Sequence, residues 1–433
     1  MKTVIMAGGK GTRITAIASD IPKPMIPLLG KPILEYQIEC LKKNKLRDIL
    51  IVVGHLGQRI TEYFKDGASF DCTITYYTET DPLGTAGALY RIKDLLTDDF
   101  IVINGDILFD MDVQKLIDFH KNHHALASLV SHPNSHPYDS ALLATDAEDR
   151  IVSWITKEDP RRYYKNLVNA GIHVLSKKLL DAAPVHGESG GKIDLDRDVL
   201  KPLISSGGIF SYKTPEYIKD MGTPDRYAQV CADIEQGLPA RRNISRQQRA
   251  VFLDRDGTIN VFKGFITRPE DFELIAGAAE AVREINRSGY LAIVVTNQPV
   301  IARGDISFEE LAVLHDKMET DLGKYGAYLD AIFFCPHHPD KGFPGERPEY
   351  KRDCECRKPK PGLILEAAEK YNINLSQSYM VGDQLRDIQA GVAAGCRPVL
   401  LTDEARGGTE ILDGKPVLIF SNLKTFVDSY IPA

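Results

Sequence analysis

The sequence predicts an α/β protein of more than one domain, and three observations carry that reading. At 433 residues the chain is too long for one ordinary core, so two or three domains are expected. Short apolar runs alternate with stretches of helical spacing, the pattern of parallel strands joined by helices. Several of those runs end in glycine, aspartate or threonine, and open α/β sheets bind ligands beyond the C-terminal ends of their strands.

Composition narrows the classes. The chain is 43% apolar and 26% charged with a net charge of −7, which argues against non-specific nucleic-acid binding. No apolar run approaches the length that spans a bilayer. Met1 to Gly9 has one lysine and too few apolar residues for a signal peptide. Seven cysteines, an odd number in a large chain, do not suit a secreted disulfide framework. A cytoplasmic protein is expected, with small-molecule substrates and no membrane partner; homo-oligomerisation is left open.

The first domain is expected over 1–236. Lys2 to Met6 reads as a strand, followed by Gly8, Gly9, Gly11, Thr12 and Arg13. A glycine-rich loop after a strand exposes backbone N–H groups that can cradle a triphosphate, and Arg13 can add a bidentate contact. Lys23 is fixed between Pro22 and Pro24, well placed to face charge developing on a phosphoryl group. Ile33 to Lys43 has helical spacing, while Asp48 to Val53, Thr73 to Tyr77 and Phe100 to Asn104 read as strands, the last delivering Gly105 and Asp106.

At these residues the chain resembles the sugar-1-phosphate nucleotidylyltransferases. Met6 to Met25 is similar to their signature. Glu79 and Leu83-Gly84-Thr85-Ala86-Gly87 match the loop facing base and sugar; Asn169-Ala170-Gly171 matches the sugar-binding turn. Asp106 and Asp220 match the metal aspartates. The resemblance implies a Rossmann-like domain in which a sugar 1-phosphate oxygen attacks the α-phosphorus of a nucleoside triphosphate and releases pyrophosphate. Asp106 and Asp220 would hold Mg²⁺, and Arg13 and Lys23 would offset charge on the phosphates. Lys157 stands either as the ligand of the incoming sugar phosphate or as a surface lysine, because Thr156 replaces the acid that usually precedes it. The compact loop between Tyr77 and Gly87 and the short domain favour the heptose 1-phosphate guanylyltransferase branch, although the base is not readable from these loops.

His120, His123 and His124 share a helical spacing but read as solvated residues at a helix end, ahead of the strand Ala127 to Val130, rather than as a metal site. Trp154, the single tryptophan, reads as core. A closing helix is expected over Pro224 to Gln236. The linker 237–249 follows, where Arg241, Arg242, Arg246 and Arg249 read as solvated linker charges rather than a nucleic-acid patch.

The second domain, 250–433, opens with Val251-Phe252-Leu253, a buried strand ending in Asp254 and Asp256. A carboxylate there can attack phosphorus, and a second one two residues on can exchange protons with the leaving oxygen. Ala278 to Ser288 reads as a helix. Leu291 to Val295 is a strand ending in Thr296 and Asn297, whose hydroxyl and neighbour suit a phosphate oxygen. Lys358 precedes another helix, and Tyr379 to Val381 is a strand delivering Gly382 and Asp383, with Asp387 one helical turn later. This order resembles the haloacid dehalogenase superfamily of phosphatases. That resemblance implies a second Rossmann-like domain, an aspartyl-phosphate on Asp254 and a general acid/base role for Asp256. It also implies Thr296 and Lys358 on the phosphoryl group, and Mg²⁺ held by Asp254, the Asp256 carbonyl and Asp383. Asp387 reads as support for these ligands.

A zinc site is read separately. Cys335 and His337, then Cys354 and Cys356, are two closely spaced pairs divided by a loop rich in Gly, Pro and charge. They make a closed, structural Zn²⁺ set that orders the loop; His338 is the alternative to His337. With that loop, the domain resembles the zinc-loop phosphatases, which include histidinol phosphatases and D-glycero-D-manno-heptose 1,7-bisphosphate 7-phosphatases. Thr296-Asn297-Gln298 with Ile301 to Gly304, and Cys335 to Pro339, favour the heptose enzymes; Pro299-Val300 and Gln384 depart from them. Arg303 is the candidate grip on a distal phosphate.

The combined reading is a bifunctional enzyme that dephosphorylates a heptose 1,7-bisphosphate and then makes a nucleotide-activated heptose, GDP-linked by preference. Two readings compete with it. The same chemistries could serve another sugar or polyol phosphate with CTP or UTP, or the first domain could be a regulatory nucleotide-sugar-binding module.

Overall fold

A computed structural model describes residues 1–9, 20–183, 191–342, 344–404, 408–412 and 414–431. The loop residues Gly11, Thr12 and Arg13 therefore lie outside the described residues. The chain divides into two compact units. The first takes Met1–His132, Leu143–Thr156 and Val168–Asn243; the second takes Pro133–Leu142, Lys157–Leu167 and Ile244–Ala433.

The first unit is built on a mixed sheet. At its centre Lys2–Ala7, wholly apolar in its middle, runs parallel to both Asp48–Val53 and Asp99–Asn104. Such β-branched runs, buried on both faces, are what a central parallel strand requires. Thr73–Thr78 extends the sheet on one side, while Val168–Ser176 joins Asp99–Asn104 antiparallel on the other. In register, Met6 faces Val52 and Asn104, so Gly8 and the Gly105–Asp106 pair leave the sheet at the same edge. A two-stranded ribbon, Ile107–Asp110 with Tyr217–Asp220, then sets Asp220 opposite Ile107 and hence beside Asp106. Two aspartates more than a hundred residues apart in sequence come to neighbouring backbone positions because of that pairing.

Helix Val113–Asn122 corrects the reading of its histidines. His120 is buried, with Nδ1 3.0 Å from Ser128 Oγ, and His123 Nδ1 lies 2.9 Å from the Phe119 carbonyl. His120 packs into the unit instead of facing water, His123 is half-buried, and His124 is exposed as expected; desolvation lowers the pKa of His120 and outweighs the pull of Asp99. Trp154 is buried as core. The stretch read as linker also departs from expectation. Leu238–Arg241 forms a short helix, Arg242 is buried with Nε donating to the Pro215 carbonyl at 3.1 Å, and the Arg249 guanidinium stacks 4.3 Å over Tyr290. Arg242 and Arg249 are thus spent on packing, whereas Arg241 and Arg246 are exposed as expected.

The second unit has a seven-stranded sheet in the order Ala331–Cys335, Leu291–Asn297, Ala250–Leu253, Tyr379–Gly382, Arg397–Leu401, Lys415–Phe420, Gly408–Leu412. All neighbours are parallel except the last pair. Ala250–Leu253 is central, with every residue buried, and the later strands lie on both sides of it. The strand order reverses there, which opens a crevice at the C-terminal strand ends. Leu253 is in register with Val294 and Val381, so Asp254, Thr296 and Asp383 emerge together. No described helix is long and apolar enough to cross a membrane.

Candidate active sites

In the second unit the strand ends deliver a dense charge network. Asp254 is buried; its Oδ1 accepts from the Arg255 N–H at 2.8 Å and lies 2.9 Å from Lys358 Nζ. The same ammonium lies 2.7 Å from Asp387 Oδ1. Burial pulls the Lys358 pKa down, but the carboxylates of Asp254 and Asp387 outweigh it and hold the group above its ordinary value. A cation therefore sits beside Asp254, an arrangement that can offset the charge of a phosphoryl group.

Asp256 points away from that cluster. Arg255, itself buried, grips it with Nη2 2.9 Å from Oδ2 and Nε 3.2 Å from Oδ1. Asn260 Nδ2 donates to Oδ1 at 3.0 Å, and Gln298 Nε2 donates to Oδ2 at 3.0 Å. Gln298 Nε2 also lies 3.0 Å from Thr296 Oγ1, so one amide ties the Asp256 carboxyl to the Thr296 hydroxyl. Asn297 is engaged within the protein. Its side chain donates to the Lys358 carbonyl and accepts from the Lys358 N–H, both at 3.0 Å, and so positions the cation. Arg303 is tied to Asp305 at 2.7 Å and lies 4.5 Å over the Phe265 ring, whose side chain is exposed.

Asp254, Asp383 and Asp387 place ligand oxygens within 4.8 Å of one another. Asp383 Oδ2 accepts from Gln384 Nε2 at 2.8 Å, whereas Oδ1 is buried without a partner. Burial first, and then Asp254, raises the Asp383 pKa, against the hydrogen bond from Gln384. Asp387 is pushed up to about 6, by burial and Asp254 against the pull of Lys358. An orphaned carboxylate oxygen facing a second carboxylate is what a divalent cation relieves. Gly257 keeps the pocket open: it adopts φ +85°, and a Cβ there would stand 2.3 Å from Asp383 Oδ2.

The cysteines converge as well. Cys335 Sγ lies 3.5 Å from Cys354 Sγ and 3.2 Å from Cys356 Sγ, with His337 Nδ1 3.6 Å from Cys335 and 3.4 Å from Cys356. A tetrahedron with zinc–sulfur bonds of about 2.3 Å has edges of about 3.8 Å, so the set is close to that shape. Burial and the neighbouring thiols push Cys335 up, while burial and then Arg352 lower His337. A bound Zn²⁺ would remove the thiol crowding. His338 turns away: its Nδ1 accepts the Asp340 N–H at 3.2 Å. Arg347 N–H donates to the Ala302 carbonyl at 3.0 Å, which joins the clipped loop to the segment carrying Arg303.

In the first unit, Lys23 Nζ pairs with Asp106 Oδ2. Lys23 begins a single 3₁₀ turn between its prolines, closed by the Met25 N–H on the Pro22 carbonyl at 2.7 Å. Asp220 is held by Arg226 at 2.9 Å, a partner the sequence did not suggest. Glu79 stands directly behind the glycine loop, where a Cβ on Gly8 would come 2.4 Å from Glu79 Oε2; burial raises its pKa and the Leu83 N–H opposes that. Gly9 is exposed. Gly84, at φ +82°, leaves no room for a Cβ against the Ile193 carbonyl, and Thr85 Oγ1 accepts the Leu195 N–H at 2.7 Å. Gly171, at φ +68°, packs on the Asn104 amide, two residues before Asp106, and its N–H donates to Asn169 Oδ1 at 3.3 Å. Lys157 belongs to the second unit, is exposed, and has Glu158 3.9 Å away.

The profile of the nucleotidyl transferase family matches residues 2–237, more than half of the chain. That of the HAD-hydrolase-like family matches residues 355–426. The D-glycero-β-D-manno-heptose-1,7-bisphosphate 7-phosphatase of Yersinia pestis is 43% identical over 170 residues, 39% of this chain and 82% of the relative. The chain belongs to the nucleotidyl transferases, and its C-terminal half to the HAD phosphatases. The counterpart of the Yersinia phosphatase in Escherichia coli K12 is 42% identical over 170 residues, 39% of this chain and 81% of the relative. Among solved structures, HddC from Yersinia pseudotuberculosis has 26% identity and a TM-score of 0.47, covering 54% of this chain and 99% of its own. This nucleotidyl transferase–phosphatase is thus an enzyme with two activities. Its phosphatase half is of the HAD type, a class that works with Mg²⁺.

Proposed function

We propose that the C-terminal half removes the 7-phosphate of a D-glycero-D-manno-heptose 1,7-bisphosphate and that the N-terminal half transfers a nucleotidyl group, GMP from GTP, to the heptose 1-phosphate that remains. The observation that carries the first step is the placement of Asp254 against Lys358, with Asp256 held apart by Arg255, Asn260 and Gln298. The substrate class rests on the phosphatase relatives, 43% identical over most of their own length.

Asp254 Oδ attacks phosphorus, the bond from phosphorus to the sugar oxygen breaks, and the Asp256 carboxyl gives that oxygen its proton. Asp256 then takes a proton from water, which attacks the aspartyl-phosphate and frees phosphate. Lys358 and the Thr296 hydroxyl face the phosphoryl oxygens, Gln298 orients both Thr296 and Asp256, and Asn297 fixes Lys358. Asp254, the Asp256 carbonyl and Asp383 would hold Mg²⁺, which supplies charge neutralisation on the phosphoryl oxygens when bound. Cys335, His337, Cys354 and Cys356 would hold a structural Zn²⁺. Arg303 grips the second phosphate of the substrate.

In the N-terminal half the sugar 1-phosphate oxygen attacks the α-phosphorus of the nucleoside triphosphate and pyrophosphate leaves. Gly8, Gly9, Gly11, Thr12 and Arg13 receive the triphosphate, and Lys23 offsets its charge. Asp106 and Asp220 would hold Mg²⁺. Glu79, Gly84 and Thr85 shape the base side, while Asn169 and Gly171 receive the sugar; Lys157 is the proposed contact for its phosphate.

Incubating the chain with the bisphosphate, Mg²⁺ and each of GTP, CTP and UTP tests this reading. GDP-heptose with one phosphate and one pyrophosphate per turnover is the expected result. Pyrophosphate release with no nucleotide sugar from any of the three would overturn it.

A further inference from the structure

Residues Ile193 to Asp198 lie outside every motif discussed above, yet they are sewn into the sugar side of the transferase. Ile193 N–H donates to the Leu83 carbonyl at 2.8 Å, and Ala86 N–H donates to the Ile193 carbonyl at 2.9 Å. Thr85 Oγ1 donates to Asp194 Oδ2 at 3.3 Å and accepts the Leu195 N–H at 2.7 Å. From the other side, Asn169 Nδ2 donates to Asp196 Oδ2 at 3.2 Å. The segment therefore bridges Leu83–Ala86 and Asn169–Gly171, the two stretches assigned to the substrate.

Three aspartates occur here, and two are committed. Asp194 receives Thr85 and the Arg197 N–H, the latter at 2.9 Å. Asp198 takes Arg197 in a two-point pair at 2.7 and 2.9 Å and accepts the Asp194 N–H. Asp196 is different. Beyond the amide of Asn169, His173 Nε2 lies 4.0 Å from Oδ1, too far for a hydrogen bond. His173 is a buried, neutral imidazole, its pKa lowered to about 4 by burial, so it does not pair with the carboxylate as an ion. The Asp196 side chain keeps 45% of its exposure. Burial first, then Asp194, pushes its pKa up to about 7, against the Asn169 hydrogen bond.

A half-exposed carboxylate, with a second one nearby, repels phosphates and attracts neutral donors. A sugar ring offers hydroxyls, which donate to carboxylate oxygens in short, charge-assisted bonds. We propose that Asp196 is a specificity-determining residue of the transferase, its Oδ1 accepting a ring hydroxyl of the sugar 1-phosphate. The assignment rests on the proposed transfer to a sugar 1-phosphate and names a residue that reads the sugar rather than its phosphate.

The test is a cycle between enzyme and substrate, run on the full chain with sugar 1-phosphates lacking one ring hydroxyl at a time. One analogue should lower the wild-type kcat/KM by about 10- to 100-fold, the size of one charged hydrogen bond. Asp196→Asn should lose a similar factor on the complete sugar, but less than about threefold more on that analogue, because the partner is already gone. Nucleoside triphosphate affinity, measured by equilibrium binding, should stay within about twofold. Losses that multiply across the cycle would overturn the assignment, as would a wild type that tolerates every missing hydroxyl within about threefold. The latter needs no variant and so does not depend on how Asp196→Asn folds. A wild type that transfers to no sugar 1-phosphate at all would instead sink the underlying function, a result distinguishable from these.

Discussion

Gln298 shows how much a single side chain can carry without touching phosphorus. Its amide holds Asp256 and Thr296 at 3.0 Å each, so it sets both the carboxyl proposed as proton donor and the hydroxyl proposed to face the phosphoryl group. Gln298→Ala should reduce kcat for phosphate release by about 10- to 100-fold with a smaller change in KM, because misplacing a catalytic group by an ångström costs that much. Loss of KM alone would show that Gln298 binds substrate and does not position Asp256. Asp254→Asn is the stronger change: phosphate release should fall on the order of a thousandfold or more while pyrophosphate release from added sugar 1-phosphate is retained. Loss of both activities would contradict independent sites. At this scale the sequence was informative where a residue stands at a strand end and silent where its role depends on a distant partner. Asp254, Thr296 and Asp383 follow from local pattern. Arg255, Asn260 and Gln298 carry no local signal for their shared grip on Asp256, and nothing local to Asn297 announces that its amide bonds Lys358, 61 residues away. His120 was misread for a related reason: helical spacing says which residues share a face, not which face is buried.

Two elements act as frames for these residues. The turn after the central strand needs Gly257, both for its φ of +85° and for the approach of Asp383. Gly257→Ala should cost about 1–2 kcal/mol of backbone strain and displace Asp383, lowering phosphate release roughly a hundredfold and weakening Mg²⁺ dependence. Activity at the wild-type level would mean that Asp383 has no fixed role. The Cys/His clip is the second frame, closing a loop whose own residues are mostly glycine, proline and charge. Stripping zinc with a strong chelator should lower the Tm by roughly 5–10 °C, and Cys354→Ser should reproduce that without further loss on chelation. A chain isolated without zinc and unaffected by chelator would show that the four residues are only packed thiols. The clip was legible because ligand spacing is a local property. The seam was not: Arg242 reads as a solvated charge until the Pro215 carbonyl is placed beside it.

At the scale of the whole molecule, two sheets each put their chemistry at strand ends. The order of elements in both was readable, because buried parallel strands announce themselves as short apolar runs. Which segments belong to which unit was harder to read. Residues 133–142 and 157–167 interrupt the N-terminal half in sequence but pack with the second unit, where the Tyr164 N–H donates to Thr320 Oγ1 at 2.9 Å. That is a long-range contact with no signature of its own. The joining of the two activities in one chain is explained if the phosphatase leaves in place the phosphate that the transferase needs. The measurement that addresses this most directly is phosphorus NMR of the product formed from heptose 1,7-bisphosphate and Mg²⁺ with no nucleotide present. The account predicts a single monoester whose phosphorus couples to the anomeric proton. A product that has lost its anomeric phosphate and kept the one at carbon 7 would contradict it.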